Sequence, residues 1–121
     1  MKKILIAEDD QFLSDAYNAK FSHENYEIQN AMDGEEVLAK LASFKPDLLV
    51  LDLVMPKLDG FSVLNEIRKN DDYKDMKIIV ASNLGQKEDI DQAKSLGADD
   101  FVVKTDLSMD DLLSKIEALI S

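Results

Sequence analysis

Four short apolar runs, Ile4–Ala7, Leu48–Leu51, Ile78–Ala81 and Phe101–Val103, constrain this chain more than any other feature. Each is continuous and rich in Ile, Leu and Val. A strand with one wet face shows a polar residue at every second position. A run without that alternation is buried on both faces, as in a parallel sheet covered by helices. Tyr26–Ala31 is a fifth, weaker segment, whose alternation at Tyr26 and Ile28 predicts a more exposed strand.

Between the runs, apolar residues fall at helical spacing. Phe12, Leu13, Ala16, Tyr17 and Phe21 form one stripe, and Val37, Leu38 and Leu41 form another within residues 35–41. Phe61, Leu64 and Ile67 follow Asp59-Gly60. Ile90, Ala93 and Leu96 precede Gly97, a residue suited to a left-handed helix end. Leu112, Leu113, Ile116, Leu119 and Ile120 make a last helix, with Ser108 placed to cap it; Asp10 is placed to cap the first. His23 falls where the first helix ends, and Asp99-Asp100 reads as a solvated approach to the last strand.

Strand and helix therefore alternate five times. That order predicts an α/β fold, a doubly wound parallel sheet of five strands with five helices on its two faces. A closed eightfold barrel would need about twice the length. In such sheets the working crevice lies beyond the carboxyl ends of the strands, where the strand order reverses.

The chain has 121 residues, the size of one domain, with 45% hydrophobic and 32% charged residues, as expected of a soluble globular protein. No apolar run approaches the roughly 20 residues that span a bilayer, and no export signal is present, so a cytoplasmic location is expected. There is no cysteine, which excludes disulfides, thiolate nucleophiles and cysteine–metal sites. The formal charge of −11 opposes nucleic-acid phosphate and anionic membrane, so neither is expected as a direct partner.

At the predicted strand ends stand Glu8, Asp9 and Asp10, then Asp52, then Ser82 and Asn83, then Lys104. Carboxylates without histidine or cysteine form a hard-oxygen site, which favours Mg²⁺ over zinc or copper. An ammonium and a hydroxyl beside them suit phosphoryl transfer to a carboxylate, because cationic groups neutralise charge on the transferring group.

The stretches ILIAEDD, VLDLVMPKLDG, IIVASN and GADDFVVK, and the separations among Asp9, Asp52, Ser82 and Lys104, resemble the receiver domain of two-component response regulators, most nearly the stand-alone chemotaxis type. The resemblance covers residues 1–121. It implies a flavodoxin-like sheet in the order 2-1-3-4-5 and a phosphorylation switch. It implies that Asp52 is the phosphoacceptor and that Glu8, Asp9, Asp52 and the Val54 carbonyl serve Mg²⁺, Glu8 through a bound water. Lys104 would pair with the phosphoryl group, Ser82 would bond to it on activation, and Phe101 would take the aromatic switch position. Pro56 would end the loop after Asp52, and Asp59-Gly60 would turn into the third helix.

The resemblance further implies a sensor histidine kinase or phosphotransfer protein as donor. The changed surface around the fourth helix and fifth strand would then meet a downstream protein target or an output domain absent from this chain. Three features depart from the family pattern. Thr105 stands where a proline is usual, and a trans peptide is expected there because a non-proline cis bond costs about 2.5–4 kcal/mol. Asn83 is larger than the small residue usual after the switch hydroxyl. Val54 and Leu84, each two residues beyond a site residue, offer no polar side chain to orient water, which predicts slow autodephosphorylation.

Competing functions make different demands on the sequence. One is a receiver fold that binds without being phosphorylated. An aspartate-nucleophile phosphatase would need a second acid where Val54 stands. A flavin site would set a phosphate against three acids, and no P-loop motif is present.

Overall fold

The computed structural model describes residues 1–106 and 108–120. Strands β1 (Lys2–Ala7), β2 (Tyr26–Ala31), β3 (Leu48–Leu51), β4 (Lys77–Ser82) and β5 (Asp100–Val103) alternate with helices α1 (Gln11–Phe21), α2 (Gly34–Phe44), α3 (Gly60–Lys69), α4 (Lys87–Ser95) and α5 (Met109–Ile120). Two short 3₁₀ turns, Asp71–Tyr73 and Lys104–Asp106, have no counterpart in the sequence reading. The strands are parallel and ordered β2-β1-β3-β4-β5, so the chain reverses its direction of travel between β1 and β3.

The continuous apolar runs are explained by what covers them. Alternate residues of β1 and β3, Leu5, Leu49 and Leu51, pack with Val37, Leu41, Val63, Leu64 and Ile67 of α2 and α3. Their neighbours Ile4, Ile6, Leu48 and Val50 pack on the opposite face with Tyr17 and Phe21 of α1 and Leu112 and Ile116 of α5. β2 is an edge strand, and most of it is only half-buried, in keeping with its alternation.

The helix ends are set locally. Asp10 accepts hydrogen bonds from the amides of Phe12 and Leu13 at the start of α1. Asp33 caps α2, Asp59 caps α3, and the Ser108 hydroxyl accepts from the Asp111 amide at the start of α5. Gly97 has φ +109°, the Ala98 amide donates to Ala93 O and the Gly97 amide to Lys94 O, a paired closure of the last turn of α4. α4 is otherwise lightly held: Ala93 is its one buried residue, and its first turn has no side-chain cap.

Four expectations are corrected. Phe12 is 85% exposed and takes no part in the α1 stripe, because it sits in the first turn, turned from the sheet. α1 ends at Phe21 with Ser22 as its cap, and exposed His23 lies beyond it. Pro56 does not end the loop after Asp52, which continues to Asp59 through a turn at Lys57. Asp99, although exposed, and half-buried Asp100 are more than a solvated approach, for both are held by partners. Asp99 accepts from the Ile78 amide at 2.8 Å and from Arg68 Nη2 at 3.1 Å, and Asp100 pairs with Lys115 at 3.1 Å.

Candidate functional site

Strand register carries the site. Ala7 pairs with Leu51, and Leu51 with Val80, so the residues that follow β1 and β3 emerge side by side. The Asp52 amide donates to Ala7 O at 3.1 Å and the Glu8 amide to Ala31 O at 3.0 Å, which extends the ladder by one residue on each side. Ser82 pairs with Val103, so Lys104 leaves β5 at the same edge.

Glu8, Asp9 and Asp52 converge, with one carboxylate oxygen from each lying within 4.8 Å of the others. Glu8 is 2% and Asp52 6% exposed, while Asp9 is open to solvent. Lys104 Nζ lies 2.9 Å from Asp52 Oδ2 and also pairs with Glu8. Glu8 and Asp52 each have a backbone donor as well: the Asp10 amide to Glu8 Oε2 at 3.1 Å, and the Val54 amide to Asp52 Oδ1 at 3.2 Å. Two buried carboxylates share one ammonium, with the third acid at the rim.

Burial pushes the Glu8 carboxyl up and nearby Asp52 adds to the rise; the Lys104 hydrogen bond opposes it. Burial alone would lower the Lys104 ammonium, but its bonds to Glu8 and Asp52 outweigh that and raise it. Tyr17, on α1 beneath these charges, is pushed up to about 12, first by burial. It is thereby held as the neutral phenol. Its place beside Lys104, Leu13 and Met109 in a small cavity was not legible from its position in an apolar stripe.

The remaining predicted residues divide. Ser82 is fully buried, and its Oγ accepts from the Leu84 amide at 3.2 Å, which turns the chain away from β4. Phe101 is half-buried against the α2–α3–α4 core and pairs with Val80, so alternation puts it on the same sheet face as Ser82. Asp10 is separate from the trio, occupied as the α1 cap. The Lys104–Thr105 peptide is trans, and Lys104 still reaches Asp52. Asn83, Val54 and Leu84 are exposed around the rim.

The donor set fits a hard divalent cation. All its members are carboxylate oxygens, with no nitrogen or sulfur ligand among them, and their excess negative charge is only partly met by Lys104. A larger cavity, about 660 Å³, lies at the opposite edge of the sheet among Leu41, Asp47, Tyr73 and Met76 and contains none of these residues. No helix among the described residues is long and apolar enough to cross a membrane.

Comparison with known proteins agrees with this geometry. The family model described as the response regulator receiver domain matches residues 4–117. The DNA-binding dual master transcriptional regulator RpaA of Synechocystis is 34% identical over 120 residues, covering 99% of this chain and 49% of that protein. Response regulator RR06 of Streptococcus pneumoniae is 39% identical over 117 residues, covering 97% of this chain and 52% of that protein. The chain thus spans about half the length of these relatives. Among solved structures, the receiver domain of the Francisella response regulator 1452 superposes with a TM-score of 0.91 at 30% identity, covering 99% of this chain and 97% of that one. Five parallel strands in this order, an acidic trio closed by a lysine, and a family match over nearly the whole chain make it a member of the response regulator receiver domain family.

Proposed function

We propose that the chain is a phosphorylation switch in which Asp52 takes a phosphoryl group from a sensor histidine kinase or phosphotransfer protein in the cytoplasm. The observation that carries this reading is the setting of Asp52. It is a nearly buried carboxylate held by an ammonium 2.9 Å away and grouped with two further acids. An Asp52 oxygen attacks phosphorus, the bond from phosphorus to the donor breaks, and the bonding pair leaves with the donor, giving an acyl phosphate.

Glu8, Asp9, Asp52 and the Val54 carbonyl would hold Mg²⁺, Glu8 through a water. When bound, the ion supplies positive charge against the phosphoryl oxygens. Lys104 can exchange its bond to Asp52 for one to the phosphoryl group without leaving its place. Ser82, whose Oγ now accepts from the Leu84 amide, has a proton to donate to a phosphoryl oxygen. The new charge of about −2 biases Ser82 and Phe101, and through them the surface of α4 and β5 offered to a downstream target or output domain.

The same site would phosphorylate itself from small phosphodonors and lose the group slowly, since Val54 and Leu84 bring no side chain that activates water. The test is intact-protein mass spectrometry after incubation with acetyl phosphate and Mg²⁺. The wild type should gain one phosphoryl group and Asp52→Asn none. An unmodified wild type, with amide spectra also unmoved by beryllofluoride, would replace this reading with a module that signals by binding alone.

A further inference from the structure

We propose that Gly34 is a positioning residue for the acidic site, acting through the loop between Asp52 and Gly60. The inference rests on the reading of that site as a Mg²⁺ centre. It concerns a residue on another element, at the start of α2 and outside the acidic trio.

The loop is under local strain. Lys57 has φ +69°, and the Leu58 amide donates to Pro56 O at 2.8 Å, two residues back. A hydrogen bond of that span around a residue with positive φ is a γ-turn of the rare, strained kind. Strain of this sort persists only where the surroundings over-determine it.

The surroundings are the β2–α2 junction. The Gly34 amide faces Pro56 O at 3.4 Å, and Asp33 Oδ2 lies 3.6 Å from Lys57 Nζ. A Cβ on Gly34 would stand 2.2 Å from Leu58 O and 2.7 Å from Leu58 Cβ. Backbone cannot yield as the end of a side chain can, so any other residue at this position must push the turn outward. On its other side the loop is fixed, with the Gly60 amide bonded to Leu53 O at 2.9 Å. Displacement is therefore channelled into residues 54–58. These include Val54, whose amide orients Asp52 Oδ1 at 3.2 Å. Gly34 thus sets the aim of the central carboxylate, and of the Val54 carbonyl beside it, from outside the site.

The test compares Mg²⁺ affinity by isothermal titration calorimetry with stability by urea unfolding without Mg²⁺. Gly34→Ala should raise the Mg²⁺ Kd roughly tenfold, as loss of an outer support of a metal site does. Ile120→Ala, at the far end of α5, should lower stability and leave Kd unchanged. Lys57→Val changes an exposed side chain, yet a β-branched residue is disfavoured at φ +69°. It should raise Kd as well, and more than Lys57→Gly, which admits that angle freely. A folded Gly34→Ala with the wild-type Kd overturns the inference, as does an Ile120→Ala that weakens Mg²⁺ equally. If Gly34→Ala does not fold, the Lys57 pair decides: equal Kd values for Val and Gly overturn it. A wild type that gives no Mg²⁺ isotherm would sink the reading of the site itself. A wild-type isotherm left unmoved by these variants would sink this inference alone.

Discussion

Lys104 Nζ stands 2.9 Å from Asp52 Oδ2 while also paired with Glu8, so one ammonium from the end of β5 bridges the ends of β1 and β3. Removing one partner of a buried ion group leaves the others uncompensated. Lys104→Met should therefore cost about 3 kcal/mol of stability without Mg²⁺. Because the cation offers alternative compensation, millimolar Mg²⁺ should recover much of the loss. Urea unfolding with and without Mg²⁺ reads both effects. A Lys104→Met protein whose deficit is indifferent to Mg²⁺ would mean that lysine and cation do not share these carboxylates.

Arg68 is a second junction, at the other edge of the sheet. Its guanidinium donates to Gly97 O at 3.0 Å, Tyr73 O at 2.9 Å and Asp99 at 3.1 Å, joining the end of α3 to the end of α4 and the start of β5. Arg68→Ala should cost about 2 kcal/mol, because the loss falls on hydrogen bonds to a charged donor. Arg68→Lys should restore little, since an ammonium cannot span three acceptors in a fixed fork. A urea midpoint within error of the wild type in either variant would refute this.

Val54 is 60% exposed and Leu84 36%, and each stands two residues beyond a strand-end residue, Asp52 and Ser82. Giving either position a polar end should speed loss of the phosphoryl group. Val54→Asn and Leu84→Glu should each do so on the order of tenfold, less than a fully placed general base provides. Loss of radiolabel from purified phosphoprotein measures the rate. A wild-type half-life of seconds would remove the premise.

Asp33 carries a pH dependence that can be isolated. The Glu36 amide bound to its carboxylate, and then Lys57, hold its pKa below the ordinary range. A carboxyl lowered in the fold stabilises it fully above the unfolded value of about 3.9 and loses that contribution as pH falls through the folded value. Asp33→Asn keeps an acceptor for the cap and does not titrate. Its urea midpoint should fall less steeply than that of the wild type from about pH 4 downward. Parallel acid limbs for the two proteins would contradict the assignment.

The strands and the convergence of the acids could be read from residue order because both follow from one fact. Runs buried on two faces imply a parallel sheet, and a parallel sheet gathers its strand ends at one edge. Residue order alone puts Glu8, Asp9, Asp52, Ser82 and Lys104 at that edge. The tertiary pairing of Arg68 with Asp99 was not legible there, since a lone acid before a strand looks the same whether solvated or bound. Nor was the turn at Lys57, because lysine gives no sign of a positive φ and the residue packed against the turn, Gly34, lies on another element. Phe12 misled for a local reason: helical spacing identifies a face, but the first turn can lie outside the contact it makes.

α4 is fastened unevenly. At its carboxyl end it is closed by the Gly97 turn and gripped by Arg68; at its amino end Gln86 offers no cap, and the first turn buries no side chain. Unwinding or tilting that first turn would sacrifice neither core contact nor clamp. Of the two ends of α4, the amino end is therefore the more lightly fastened. That lightly held end is the one joined through residues 83–86 to Ser82.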